Sequence, residues 1–294
     1  MATELISRTV ETTLGPIHVS EVGEGTPFVL LHGGGPAASA LANYRANLPA
    51  FAGFRVILPD QPGFGGSYRP SEEELDARSI TEITVDALYQ VLDALGIDEF
   101  FLLGNSLGGA AALGMAIAQP ARVQKLVLMA PGGGWLPVTT PLPTEGQKEM
   151  FRYYNGEGPT LKKMKNFIRV MVADAGQLSD AEVQARYEAS LDEGHIEFYH
   201  RNNAAFAKRG GMDPLWKDLE RITADTLLLW GRDDRTITLD GAGLMLKRIR
   251  RVQLHVFGDC GHWVQVERKA EFERLVADFL SSAAAGSGAA GGAH

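Results

Sequence analysis

Continuous apolar runs alternate with segments of helical period along most of the chain. Residues 7–22 form two short β-branched runs broken by Leu14-Gly15-Pro16, which predicts an opening hairpin. Residues 26–31 are an unbroken apolar strand of the kind buried on both faces of a parallel sheet, and 54–58 and 100–103 repeat the pattern. Between these strands, residues 39–51 read as helical, and Ser79-Ile80-Thr81-Glu82 is a capping box opening an amphipathic helix to Leu95, closed by Gly96. A small-residue helix over 107–119 and a buried strand over 123–129 follow. From Pro131 the pattern changes to Pro, Gly and Thr, then to helical segments at 160–172, 179–191 and 197–208. Strands return at 226–230 and 252–257, and a helix over 269–280 closes the pattern.

Strand-helix alternation implies a mostly parallel eight-stranded sheet with helices on both faces and ligands at the carboxyl ends of its strands. The break at Pro131 predicts a core of residues 1–135 and 215–280 interrupted by a helical lid at 136–214, with 281–294 as a disordered or appended Ala/Gly/Ser tail. The 294 residues are 45% hydrophobic, enough for a sizeable core, and the net charge of −8 argues against a nucleic-acid or anionic-membrane partner. A small molecule is the expected partner. One cysteine, Cys260, excludes an internal disulfide and a cysteine metal cluster and suits a reducing compartment. The first residues have no apolar core of signal-peptide length, and the Ala-rich run after Ser106 is too short to span a bilayer, so the expected location is cytoplasmic.

The chemistry concentrates at strand ends. Gly104-Asn105-Ser106-Leu107-Gly108 fits G-x-S-x-G, a strained turn that lifts a serine hydroxyl clear of a sheet. Such a motif also arises in glycine-rich chains, but here a strand precedes it and a helix follows. His32-Gly33-Gly34-Gly35-Pro36, after the strand at 26–31, is a loop whose backbone N–H groups are suited to a developing oxyanion. A serine hydroxyl needs an imidazole to take its proton and a carboxylate to orient that imidazole. Of seven histidines, His262 follows the last core strand in a Gly-bounded loop, whereas His18, His195, His200, His255 and His294 do not end one. Asp233 or Asp234 stands past the preceding strand, and the order serine, acid, histidine is that of α/β-hydrolases.

Several motifs together narrow the picture. His32-Gly33-Gly34-Gly35-Pro36 with Asn43 following, Asp60-Gln61-Pro62-Gly63, Gly104-Asn105-Ser106-Leu107-Gly108-Gly109, Trp230-Gly231-Arg232-Asp233-Asp234-Arg235 and Cys260-Gly261-His262-Trp263 resemble the meta-cleavage product hydrolases of the α/β-hydrolase superfamily. The resemblance spans roughly residues 5–280 and implies Ser106, Asp234 and His262 as catalytic residues, the N–H groups of Gly34 and Leu107 as oxyanion donors, and Asn43, Asn105, Arg186, Trp263, Gly33 and Met171 at the substrate. It further implies hydrolysis of the bond between carbons 5 and 6 of a 2-hydroxy-6-oxo-hexa-2,4-dienoate, no cofactor and no metal, and a homodimer or larger homo-oligomer. The competing expectations are an esterase or lactonase with the same three residues, which needs no buried cation, and a non-hydrolytic binder or lyase.

Overall fold

The computed structural model describes residues 4–282. Its eight strands are β1 (Ile6–Val10), β2 (Ile17–Val22), β3 (Thr26–Leu31), β4 (Phe54–Pro59), β5 (Phe100–Asn105), β6 (Val123–Met129), β7 (Asp225–Gly231) and β8 (Val252–Phe257). They form one sheet in the order β1-β2-β4-β3-β5-β6-β7-β8. β1 and β2 pair as the expected hairpin and β2 meets β4 antiparallel; every later pairing is parallel. The helices are α1 (Ala40–Tyr44), α2 (Glu72–Ala77), α3 (Ile80–Ala94), α4 (Leu107–Ala118), α5 (Glu145–Tyr154), α6 (Leu161–Met171), α7 (Asp180–Ala189), α8 (Glu193–Arg209), α9 (Ala242–Arg248), α10 (Val264–Glu267) and α11 (Lys269–Ser281). This is the α/β-hydrolase fold.

The apolar runs divide between two cores because strand side chains alternate. Val29 and Leu31 of β3, Leu126 and Leu128 of β6, and Leu228 and Trp230 of β7 join the core on one face. Phe28, Leu30, Val127, Met129, Leu227 and Leu229 join the core on the other. Covering both faces leaves only loop ends for polar chemistry.

The β6–β7 connection carries α5 to α8. Their apolar side chains form a separate cluster of Tyr153, Tyr154, Met164, Phe167, Ile168 and Met171, into which Trp263 inserts from the core. The expected segments at 160–172 and 179–191 are present as α6 and α7. The third differs: α8 begins at Glu193 rather than Glu197, because the Asp192 carboxylate caps it by accepting the His195 N–H at 2.7 Å. α5 was not expected from the periodicity; a Thr144/Gln147 capping box starts it.

A second correction concerns the tail. Ser281 closes α11, and Ser282 follows it in contact with the buried Lys125 of β6. Lys125 Nζ donates to the carbonyls of Phe279 (2.6 Å), Leu280 (3.2 Å) and Ser282 (2.5 Å), satisfying groups that a helix end leaves without partners. The remainder of the expected tail, 283–294, lies outside the described residues.

Candidate active site

At the end of β5 the chain turns straight into α4, and Ser106 is the hinge. Its backbone sits at φ 55° and ψ −113°, a strained conformation for a residue with a side chain. The turn holds because the Ser106 N–H donates to Met129 O (3.0 Å) while Ser106 O accepts from Ala110 N (3.0 Å) and Gly132 N (2.9 Å). The flanking glycines are required by close approach: a Cβ on Gly104 would lie 2.3 Å from Gly108 O, and one on Gly108 2.3 Å from Leu31 O.

The loop after β3 packs against this turn. A Cβ on Gly33 would stand 2.8 Å from Asn105 Oδ1 and 3.4 Å from Ser106 Cβ, and one on Gly34 would stand 3.3 Å from Leu107 Cδ2. Gly33 and Gly34 are therefore brought beside Ser106 and Leu107. The loop is locked by the buried His32, whose Nε2 accepts the Gln61 N–H at 3.0 Å while Nδ1–H donates to Gly33 O at 2.8 Å. Burial lowers the pKa of this ring, which keeps it neutral and able to do both.

The structure separates the two candidate acids. Asp234 is buried; its Oδ1 accepts the N–H groups of Thr236 (2.7 Å) and Ile237 (3.0 Å), which aims Oδ2 at His262 Nδ1, 2.6 Å away. A carboxylate only accepts, so Nδ1 carries the hydrogen and Nε2 is left with a free lone pair. Nε2 is buried with no hydrogen-bond partner among the described residues. Asp233 instead pairs with the Arg232 guanidinium (3.0 Å), which lowers its pKa. His262 is also tied through its backbone, its N–H donating to Met171 O at 2.7 Å.

The remaining expected residues divide into a cluster and an outlier. Arg186, on α7, lays its guanidinium 4.6 Å from the Trp263 ring centroid and 5.8 Å from that of Phe167. Its Nε is buried without a hydrogen-bond partner among the described residues, and the ionisable groups around it are Tyr154 and Tyr153, not a carboxylate. Burial lowers its pKa to about 10, so it remains a cation at neutral pH. Asn105 Nδ2 donates to Met129 O (3.3 Å), and Oδ1 is buried without a partner. Met171 is buried at the end of α6, its sulfur 3.5 Å from Thr236 Oγ1. Asn43 lies half-buried on α1, and among the described residues no hydrogen bond joins its side chain to the others.

Asn105 Oδ1, Arg186 Nε and His262 Nε2 are thus buried polar atoms without partners, an expensive arrangement in a folded core and an informative one in a ligand site. Among the described residues no group of three or more His, Cys, Asp or Glu is placed to hold a metal ion, and no helix is long and apolar enough to cross a membrane.

The family described as alpha/beta hydrolase fold matches residues 26–269. A 2-hydroxy-6-oxononadienedioate/2-hydroxy-6-oxononatrienedioate hydrolase of Cupriavidus pinatubonensis is 39% identical over 270 residues, covering 90% of this chain and 91% of that protein. The chain belongs to the meta-cleavage product hydrolases. A 2-hydroxy-6-oxo-6-phenylhexa-2,4-dienoate hydrolase of Comamonas testosteroni is similar to this meta-cleavage product hydrolase to the same degree, 39% over 270 residues and 90% and 91% of the two chains. The meta-cleavage product hydrolase CumD from Pseudomonas fluorescens IP01, solved as a single-site mutant with acetates, superimposes with a TM-score of 0.81 at 33% identity, over 94% of this chain and 97% of that one.

Sequence reasoning missed one group in this meta-cleavage product hydrolase. Glu267 on α10 places its carboxylate against the backbone on both sides of His262. Its spacing five residues after the histidine was the only available signal.

Proposed function

We propose that this protein hydrolyses the C5–C6 bond of a 2-hydroxy-6-oxo-hexa-2,4-dienoate to give a 2-hydroxypenta-2,4-dienoate and a carboxylic acid. The observation that carries this reading is the half-buried Arg186, whose buried Nε has no partner among the described residues, which has no carboxylate of its own and which packs on Trp263. A partly desolvated guanidinium without a counter-ion is costly, and the fixed carboxylate of a dienoate would supply the counter-ion in two parallel hydrogen bonds. Asn105 Oδ1 can only accept, so it suits the substrate's 2-hydroxyl and not its carboxylate. Trp263, Gly33 and Met171 would border the diene, and Asn43 its carboxylate end. This arrangement would hold carbon 6 over Ser106.

The chemistry follows from what a carbon leaving group needs. The dienol loses its 2-hydroxyl proton and gains one at carbon 5, and His262 Nε2, an unshared lone pair held by Asp234, is suited to carry it. Nucleophilic addition at carbon 6, by Ser106 Oγ or by a water it activates, then places negative charge on the carbon 6 oxygen. The N–H groups of Gly34 and Leu107 would hold that charge, each donor being worth about 3 kcal/mol. When the C5–C6 bond breaks, its electron pair is delocalised onto the 2-oxo group, and the water oxygen ends in the acid. No cofactor enters this sequence. The family pattern also supports a homo-oligomer, and the single buried thiol of Cys260 a cytoplasmic location.

Two predictions test the assignments. Asp234→Asn should lower kcat by about a thousandfold or more, because an amide can present its N–H to Nδ1 and favour the wrong tautomer, whereas Asp233→Asn should cost less than about threefold. Steady-state rates on the phenyl dienoate check the ranking, and the reverse order would move the acid to Asp233. Arg186→Gln should raise KM and slow ketonisation of the dienoate by about a hundredfold while leaving hydrolysis of a neutral nitrophenyl ester within about twofold of wild type. Equal losses on the two substrates would make Arg186 structural and favour a simple esterase.

A further inference from the structure

The α5–α8 connection, which forms a cap, is joined to the His262 loop through the Glu267 side chain. Glu267 Oε2 accepts the Ala173 N–H at 2.6 Å, where the chain leaves α6, and Oε1 accepts the Gly261 N–H at 2.9 Å. The Trp263 backbone also acts on this carboxylate, favouring its charge. The residue before His262 is therefore held by Glu267, and His262 itself is held by Met171 O on the cap. The contact is intimate: a Cβ on Gly261 would stand 2.7 Å from Met171 O and 2.9 Å from Ala173 N.

We propose that Glu267 is a positioning residue, clamping the loop around His262 to the cap segment that follows α6 so that the imidazole keeps the orientation that serves Ser106. This rests on the reading of Ser106 and His262 given above. Other groups hem in the clamp. Cys260 Sγ lies 3.9 Å from Oε1, Asp234 acts on the carboxylate from the β7 turn, and Arg268 turns its guanidinium to Gly258 O. Arg235 donates to the carbonyls of Arg169 and Val172, gripping the same cap segment from the other side, and Asp174 turns back to the Gly176 N–H. Burial and the Asp234 charge raise the Glu267 pKa, and the N–H groups the carboxylate serves oppose that shift. Without the clamp, the turn at Gly258 to Trp263 would keep its bonds to Arg268, Asp233 and Arg232, but His262 would be tied to the end of α6 only through Met171 O.

The test uses full-length protein and a fluorophosphonate probe that labels an activated serine, with the rate of mass increase as readout. Glu267→Gln cannot accept on both sides, and Glu267→Asp keeps the charge but is too short to span Gly261 and Ala173. Both should label at least about tenfold more slowly than wild type, since a displaced imidazole activates the serine poorly, and both should melt within a few degrees of it. Labelling of either at the wild-type rate would overturn the proposal, and full activity in the aspartate variant would show that charge alone matters. A wild-type protein inert to the probe would instead overturn the reading of Ser106 on which the clamp depends. Should the glutamine variant fail to fold, amide exchange in the wild type decides: Ala173 and Gly261 should be protected and open together, and an Ala173 amide exchanging at the free-loop rate would refute the clamp.

Discussion

Ser106→Ala is expected to lower the rate of C–C cleavage by at least about a thousandfold while leaving the fold and the binding of dienoate intact. The elbow owes its geometry to Gly104 and Gly108, which approach neighbouring backbone too closely for any Cβ, and to backbone hydrogen bonds that Ser106 donates to Met129 O and accepts from Ala110 and Gly132. None of these involves the hydroxyl. The substrate would be held by Arg186 and Asn105, which the substitution does not touch. Stopped-flow spectra should therefore show the dienolate band shifting as the substrate ketonises, with no product following. Cleavage near the wild-type rate would remove Ser106 from the reaction.

His262→Ala should be the more general lesion. The ring is buried with Nδ1 committed to Asp234 and Nε2 without a partner among the described residues, so on the proposed function it would shuttle a proton both to carbon 5 and from the serine. Its loss should slow ketonisation by about a hundredfold and cleavage by at least about a thousandfold, because general base and proton donor vanish together. The comparison between the two variants is the informative part: serine loss spares the first spectral phase and histidine loss does not. Equal first phases in both would assign the proton transfer to another group.

The reach of sequence reasoning is set by how local each feature is. The central parallel strands were legible because both faces of each are covered, so β3 and β6 have the expected bounds to the residue, and the edge strand β8 has them because its apolar run stops at Gly258. The elbow and the loop at His32 were legible for the same reason, being short segments whose glycines have a steric cause. Choosing between Asp233 and Asp234 was not, since adjacent residues in a turn point in different directions and only the Thr236 and Ile237 N–H groups decide which one faces His262. Arg186 sits on a helix that otherwise reads as solvated, and its partial burial comes with Trp263 and Phe167, which reach it from other elements. Glu267 serves backbone groups six and 94 residues away, a relation that periodicity does not carry. Lys125 was hidden likewise: a charged residue inside a buried strand makes sense only once the end of α11 lies over it.

The decisive measurement mixes the wild-type protein with the coloured 6-phenyl dienoate and follows the visible band while the products are identified by mass. The band should decay over many turnovers, and benzoate and 2-hydroxypenta-2,4-dienoate should accumulate in equal amounts, with oxygen from labelled water in the benzoate. A band that persists while the same protein hydrolyses a nitrophenyl ester would contradict the proposed function, leaving a serine esterase with an unexplained half-buried arginine.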